Sequence, residues 1–196
     1  MKRFFVASFA VCASLLTISL VTGCSGTVLA DAPAVINTIL AGLTALTGVL
    51  TILPTTIDGV NTSSIVSAIN ASIKVIQVIE TDIEQYKTNP SDTTFQKIDA
   101  GLQDATQSIG ALLHPTGVPD AVSAKIEQIA EIALQELDRW MALLNSLKTH
   151  STQAVAASSE VTAPMHSHEL RSAIQSIIDQ PTGDQKVDAA FANVKV

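Results

Sequence analysis

Between Asp92 and Leu113 the residues Phe95, Ile98, Leu102, Ala105, Ile109 and Leu112 follow one another at intervals of 3, 4, 3, 4 and 3, with Gln96, Lys97, Gln103 and Asp104 between them. A helix of 3.6 residues per turn carries such apolar positions on one face, whereas a half-buried strand would alternate every second residue. The same rule governs most of the chain. Ile36, Ile39, Leu43, Leu46, Leu50 and Leu53 form a first seam, which Pro54 closes. Val66, Ile69, Ile73, Ile76, Ile79, Ile83 and Tyr86 form a second; its β-branched residues lower helix propensity, but strict alternation is absent. Val122, Ile126, Ile129, Ala133, Leu137, Trp140, Leu144 and Leu147 lie on a long helix expected from about Asp120 to Lys148. The stretches DGVNTSS, TNPSD and HPTGVPD separate these segments with turn and capping residues.

Four amphipathic segments with short connections predict an all-α fold, an up-down-up-down four-helix bundle over residues 35–148. Seam spacing near 3.5 favours shallow helix crossings. Each large aliphatic side chain in those seams contributes about 1.5–3 kcal/mol on burial, so the bundle is expected to be stable without a cofactor. Beyond it, residues 149–165 are small and nearly uncharged and read as a linker. Residues 166–196 read as a short helical tail, with one helix from Ser167 to Asp179 carrying Leu170, Ile174, Ile177 and Ile178, and a final turn through Val187, Phe191 and Val194. Helices this short are marginal alone, so the tail either docks on the bundle or stays mobile.

The N-terminus carries an address. Met1-Lys2-Arg3 is a positive start, and FFVASFAVCASLLTISLV after it is uncharged, which is the layout of a secretory signal peptide. Cys12 lies within that segment, leaving Cys24 as the sole cysteine beyond it, so no internal disulfide forms. Val21-Thr22-Gly23-Cys24 resembles the lipobox of bacterial lipoproteins, in which the cysteine sulfur takes a diacylglyceryl group before cleavage on its amino side. The resemblance covers residues 1–24 only, and it implies a signal peptide over 1–23, lipidation of Cys24 and a lipidated tether over 24–34. Val21 and Thr22 stand where the family more often has Leu and Ala or Ser. The competing arrangement is a cut at Val28-Leu29-Ala30, which would discard Cys24. Ser25, rather than Asp, follows the cysteine, and by the same resemblance that favours the outer membrane facing the periplasm.

Cleavage before Cys24 removes Lys2 and Arg3 and sets nine basic side chains against 18 acidic ones, a formal charge of −9. Such a body repels phosphate backbones, and with Trp140 and Tyr86 as its only Trp and Tyr it offers no stacking platform, so nucleic-acid binding is excluded. Glu-x-x-His and Cys-x-x-Cys-His do not occur, which removes carboxylate-bridged di-iron and covalent haem, and no cofactor is expected. Gly-x-Ser-x-Gly, Ser-x-x-Lys and His-Glu-x-x-His are absent too, so no catalytic residue is assigned. His166 and His168, beside Glu169, are the sharpest metal candidates, with His114 and His150 elsewhere, but zinc asks for three or four converging ligands and a surface pair is the expectation. Glu80, Asp82, Glu84, Glu127 and Glu131 read as solvated faces, and Trp140 as core. The sequons at Asn61 and Asn70 are coincidental behind a bacterial export signal.

These readings describe a non-enzymatic helical protein of the bacterial cell envelope, held to the membrane by lipid on Cys24 and acting as an interaction or structural module for an envelope protein. Two alternatives stay open. One is a carrier of a small apolar ligand or lipid, with room beside Ala105 and Ala133. The other uses residues 33–53 as a membrane span: no charge occurs from Ala32 to Ile57, although the threonines and the one-sided seam suit a bundle helix better.

Overall fold

The computed structural model describes residues 31–54, 57, 59–89, 91–150, 164–192 and 194–196, with the side chains of 146–150 excepted. The expected signal peptide, Cys24, Ser25, the seam residue Leu147 and most of the expected linker lie outside the described residues or side chains. Among the described residues there are six helices and no strand: α1 (Asp31–Pro54), α2 (Ser63–Thr88), α3 (Asp92–Gly110), α4 (Asp120–His150), α5 (Ser167–Asp179) and α6 (Gln185–Phe191). The protein is an all-α helical bundle.

Helices α2, α3, α4 and α6 start where a side chain or carbonyl can take up their first free N–H groups. Asn61 Oδ1 accepts the Ser63 N–H at the head of α2, Ser91 Oγ accepts the Thr94 N–H in α3, and Asp184 Oδ1 accepts those of Lys186 and Val187 in α6. The Pro119 carbonyl takes up Val122 and Ser123 at the head of α4. Helix α1 includes Asp31 to Ala34, which the sequence assigned to the tether. Pro33 is tolerated there because a first-turn residue has no intrahelical partner for its N–H, and Ala32 is fully buried.

The first and third seams hold residue for residue: Ile36, Ile39, Leu43, Leu46, Leu50 and Leu53 in α1, and Phe95, Ile98, Leu102, Ala105 and Ile109 in α3 with Leu112 just beyond it, are all buried. The second is shifted by one position at its start. Ile65, Ile69, Ser72, Ile76, Ile79 and Ile83 are buried, while Val66, Ile73 and Tyr86 pack at its edge. Ser72 can occupy a core position because its hydroxyl donates to the Ala68 carbonyl at 3.1 Å.

Helices α2 and α3 run antiparallel: Tyr86 meets Phe95 edge-on with ring centroids 6.1 Å apart, and Ile79 faces Gly101 one step further along the pair. A Cβ at Gly101 would stand 2.8 Å from Ile79 Cγ1, so glycine is what lets the two helices approach. At one end of the bundle the α1–α2 and α3–α4 connections meet, Asn61 N–H donating to the Gly117 carbonyl at 3.0 Å. Gly117 has φ +83, and a Cβ there would stand 2.7 Å from Asn61 O; the loop contact exists only with glycine in that place.

The tail docks. Leu170, Ile174, Ile177 and Ile178 of α5 and Val187 and Phe191 of α6 are buried in the same core as the first four helices. Ile174 lies over Gly42 of α1, where a Cβ would stand 3.2 Å from its Cδ1 and 3.9 Å from Ile129 Cγ2 of α4. The arm of α5 and α6 therefore belongs to the bundle.

Candidate functional site

Among the described residues the buried charged side chains lie on one helix. Lys125 and Glu136 of α4 are 4% and 0% exposed, among seam residues whose neighbours are Ile, Ala and Trp. A helix that faces both the main bundle and the arm buries a wider stripe than a single seam, and these two charges fall in the added width.

Lys125 reaches the far end of α5. Its Nζ donates to the carbonyls of Ile177 at 2.8 Å, Ile178 at 2.8 Å and Gln180 at 2.6 Å, which uses all three ammonium donors. Nζ also stands 4.7 Å from the centre of the Phe191 ring, so the same cation holds α6. Burial pushes its pKa below the ordinary lysine value, and the charges of Asp188 and Asp179 pull the other way. Asp188 is itself held below the usual carboxylate range, chiefly by the Thr182 hydroxyl and N–H, both at 2.7 Å.

Glu136 reaches the near end. Its Oε1 accepts the Met165 N–H at 2.9 Å, just before α5 begins, and its Oε2 pairs with Arg139 Nη1 at 3.1 Å. Burial drives its pKa up, opposed first by the Met165 N–H and then by Arg139. The buried Trp140 indole N–H adds the weakest of these pulls and closes no hydrogen bond of good geometry. The two charges complement the α5 dipole, an anion at its amino end and a cation at its carbonyl end. Lys125 Nζ and Glu136 Oε1 hold the two ends of the arm, and Glu136 Oε2 is fixed by Arg139 of the same helix, so the arrangement is a clasp.

The histidines open α5. His166 N–H donates to Glu169 Oε2 at 3.1 Å, and the His166 and His168 rings stack with centroids 5.8 Å apart. His166 Nδ1 is 3.5 Å from Asp31 Oδ2, at the start of α1. Among the described residues no three His, Cys, Asp or Glu converge to hold a metal, and His114 stands apart near Glu127. Glu80 accepts from Asn37 Nδ2 at 2.9 Å, Glu84 pairs with Lys87, and Glu131 is exposed, while Trp140 is core as expected.

Two grooves open at the surface. One, of about 440 Å³, follows α5 past His168, Arg171, Gln175 and Val196, and the other, of about 410 Å³, lies between Ile52 at the end of α1 and Lys186, Ala189 and Ala190 of α6. No family model, curated protein or solved structure matches this chain.

Lys125 and Glu136 escaped the sequence reading, although a signal was present: at 100° per residue both fall on the arc of Ile129 and Trp140. The sequence reading grouped Glu127 and Glu131 as solvated carboxylates and passed over Glu136, the one carboxylate of that helix that is buried.

Proposed function

We propose that this protein is a lipid-anchored, non-enzymatic helical module of the bacterial cell envelope, tethered through Cys24 and presenting its bundle as an interaction or structural body. The observation that carries the reading is the Val21-Thr22-Gly23-Cys24 motif, which follows Lys2-Arg3 and an uncharged stretch and stands seven residues before the first described helical residue. Two or more acyl chains on one sulfur and amino group would hold such a body stably at a bilayer. The bundle supports the reading by what its interior is used for: its two buried charges are both engaged in structural bonds. Helix α1 has the length and composition of a membrane span, but half of its most apolar stretch is buried within the bundle, which favours a water-facing body over the spanning alternative. For the carrier alternative, Gly101 brings α3 close to Ile79 one turn before Ala105, and Ala105 and Ala133 are buried in the core.

The test is the intact mass of the protein extracted from membranes, set beside a Cys24→Ser variant. The proposal expects acyl mass on a chain beginning at Cys24, and an unprocessed or unanchored product from the variant. Unchanged product size and unchanged bilayer association in the variant would overturn it. Ser25→Asp, followed by membrane fractionation, reads the outer-membrane placement separately.

A further inference from the structure

The exposed side of α1 differs from that of every other helix in the bundle. Core residues occupy one side of α1, and Ala34, Asn37, Thr44, Gly48, Thr51 and Ile52 look outward, with Leu40, Ala41 and Thr47 half-buried between them. That face carries no charged side chain over about 36 Å of helix, since the only charge of α1 is Asp31 at its first residue. The outer faces of α2, α3 and α4 present Lys74 and Glu84, Lys97 and Asp104, and Glu131 and Asp138. Some of the polar groups of the α1 face are also bound within the protein. Thr47 and Thr51 donate their hydroxyls to the Leu43 and Thr47 carbonyls at 3.1 and 2.7 Å, and Asn37 donates to Glu80 at the edge. At the far end Ile52 is 49% exposed and borders the mainly apolar groove lined by Gln185, Lys186, Ala189 and Ala190.

The geometry points to the bilayer itself as what this face meets: α1 lies along the membrane surface, uncharged side inward, with Lys186 level with the lipid phosphates. The inference rests on the anchoring proposed above. Cys24 precedes Asp31 by seven residues, so even a fully extended tether keeps the start of α1 within about 25 Å of the acylated sulfur. Within that reach, α1 is the helix whose outward side carries no charge of its own after Asp31, and the one carboxylate it touches, Glu80, stands at the edge and is held by Asn37 Nδ2 at 2.9 Å. A lysine beside an apolar groove can rest its methylenes on the lipid and keep its ammonium at the phosphates. The bundle then sits on its side at the membrane, and the charged faces of α2, α3 and α4 are turned to water.

The experiment uses the full-length acylated protein in vesicles of phosphatidylethanolamine and phosphatidylglycerol. Thr44→Cys and Thr51→Cys, on the α1 face, and Lys97→Cys, on α3, are each labelled with a polarity-sensitive fluorophore, and Trp140 emission and circular dichroism establish that each variant is folded. On vesicles, labels at 44 and 51 are expected to become several-fold less accessible to iodide than the label at 97. Lipids spin-labelled near the headgroup should quench them more strongly than lipids labelled at the acyl-chain centre. Equal iodide access at all three positions overturns the inference, as does deepest quenching at the chain centre, the mark of a span. Protection that comes without lipid quenching and grows with protein-to-lipid ratio overturns it in favour of a second copy. Intact mass separates the two proposals: a chain lacking acyl mass overturns the anchor and this inference together, whereas an acylated chain with open α1 labels overturns this inference alone.

Discussion

Replacing Lys125 by methionine keeps most of the side-chain volume and removes the ammonium. Three carbonyls at the end of α5, on Ile177, Ile178 and Gln180, lose the donor that now stands 2.6–2.8 Å away, and the last carbonyls of a helix have no partner inside it. A hydrogen bond to a charged group is worth about 1.5–3 kcal/mol, but the ammonium was desolvated to make these, and its lowered pKa reports that cost. Setting the two against each other, and noting that removal of one member of a buried charged contact typically costs about 3–5 kcal/mol, we expect a loss of about 3 kcal/mol. The loss falls on the arm, because α2 and α3 make no use of Lys125. Hydrogen exchange read by mass spectrometry is the assay: peptides from residues 170–178 should exchange roughly a hundredfold faster, about 1.4 kcal/mol per factor of ten, while those from α2 and α3 keep their protection. If the arm of Lys125→Met exchanges within about threefold of the parent, the three bonds are not what seats α5 and the reasoning fails.

Glu136→Gln tests the other end of the clasp through pH. A carboxyl whose folded pKa is raised stabilises the fold below its ordinary value and gives that stability up as pH rises through the folded value, so the parent should lose melting temperature relative to the variant from about pH 4.5 upward. A difference that is flat, or that opens the other way, refutes the assignment. Gly117→Ala combines a left-handed φ with a 2.7 Å approach to Asn61 O and should cost about 2–4 kcal/mol in chemical denaturation, whereas Gly59→Ala, with φ +80 and open space around it, should cost about 1. Equal costs would mean that the loop contact contributes nothing. Gly101→Ala gains helix propensity of about 1 kcal/mol but drives a methyl against Ile79 Cγ1, so a net loss of about 1 kcal/mol is expected and a stabilised variant would contradict the close approach of α2 and α3.

How much of this was legible beforehand depended on what each segment has to satisfy. The α3 and α1 seams could be read residue by residue because each of those helices buries a single regular stripe in the core. Helix α2 was read one position off at its start, since a run rich in isoleucine fits two adjacent arcs and only packing chose the one that includes Ser72. The α5 helix was legible to its last residue, yet its docking was not, because periodicity shows that a face must be covered and not by what. Lys125 and Glu136 were passed over for a related reason: a charge within a seam is ordinarily read as an edge residue, and its partners here come from 29 to 55 positions away in the chain. The proposed anchor rests on short-range pattern alone, since Cys24 lies outside the described residues.

The two interior charges also make the seat of the arm directional. A helix of equal greasiness laid in the same trough but pointing the opposite way would set a carboxylate against carbonyl oxygens and an ammonium against amide protons, two repulsions in place of two attractions. Hydrophobic substitutions along the arm leave this polarity unchanged, whereas exchanging the positions of the acid and the base would reverse it. Any foreign peptide competing for that trough has to arrive with the correct polarity as well as the correct pattern of leucines and isoleucines.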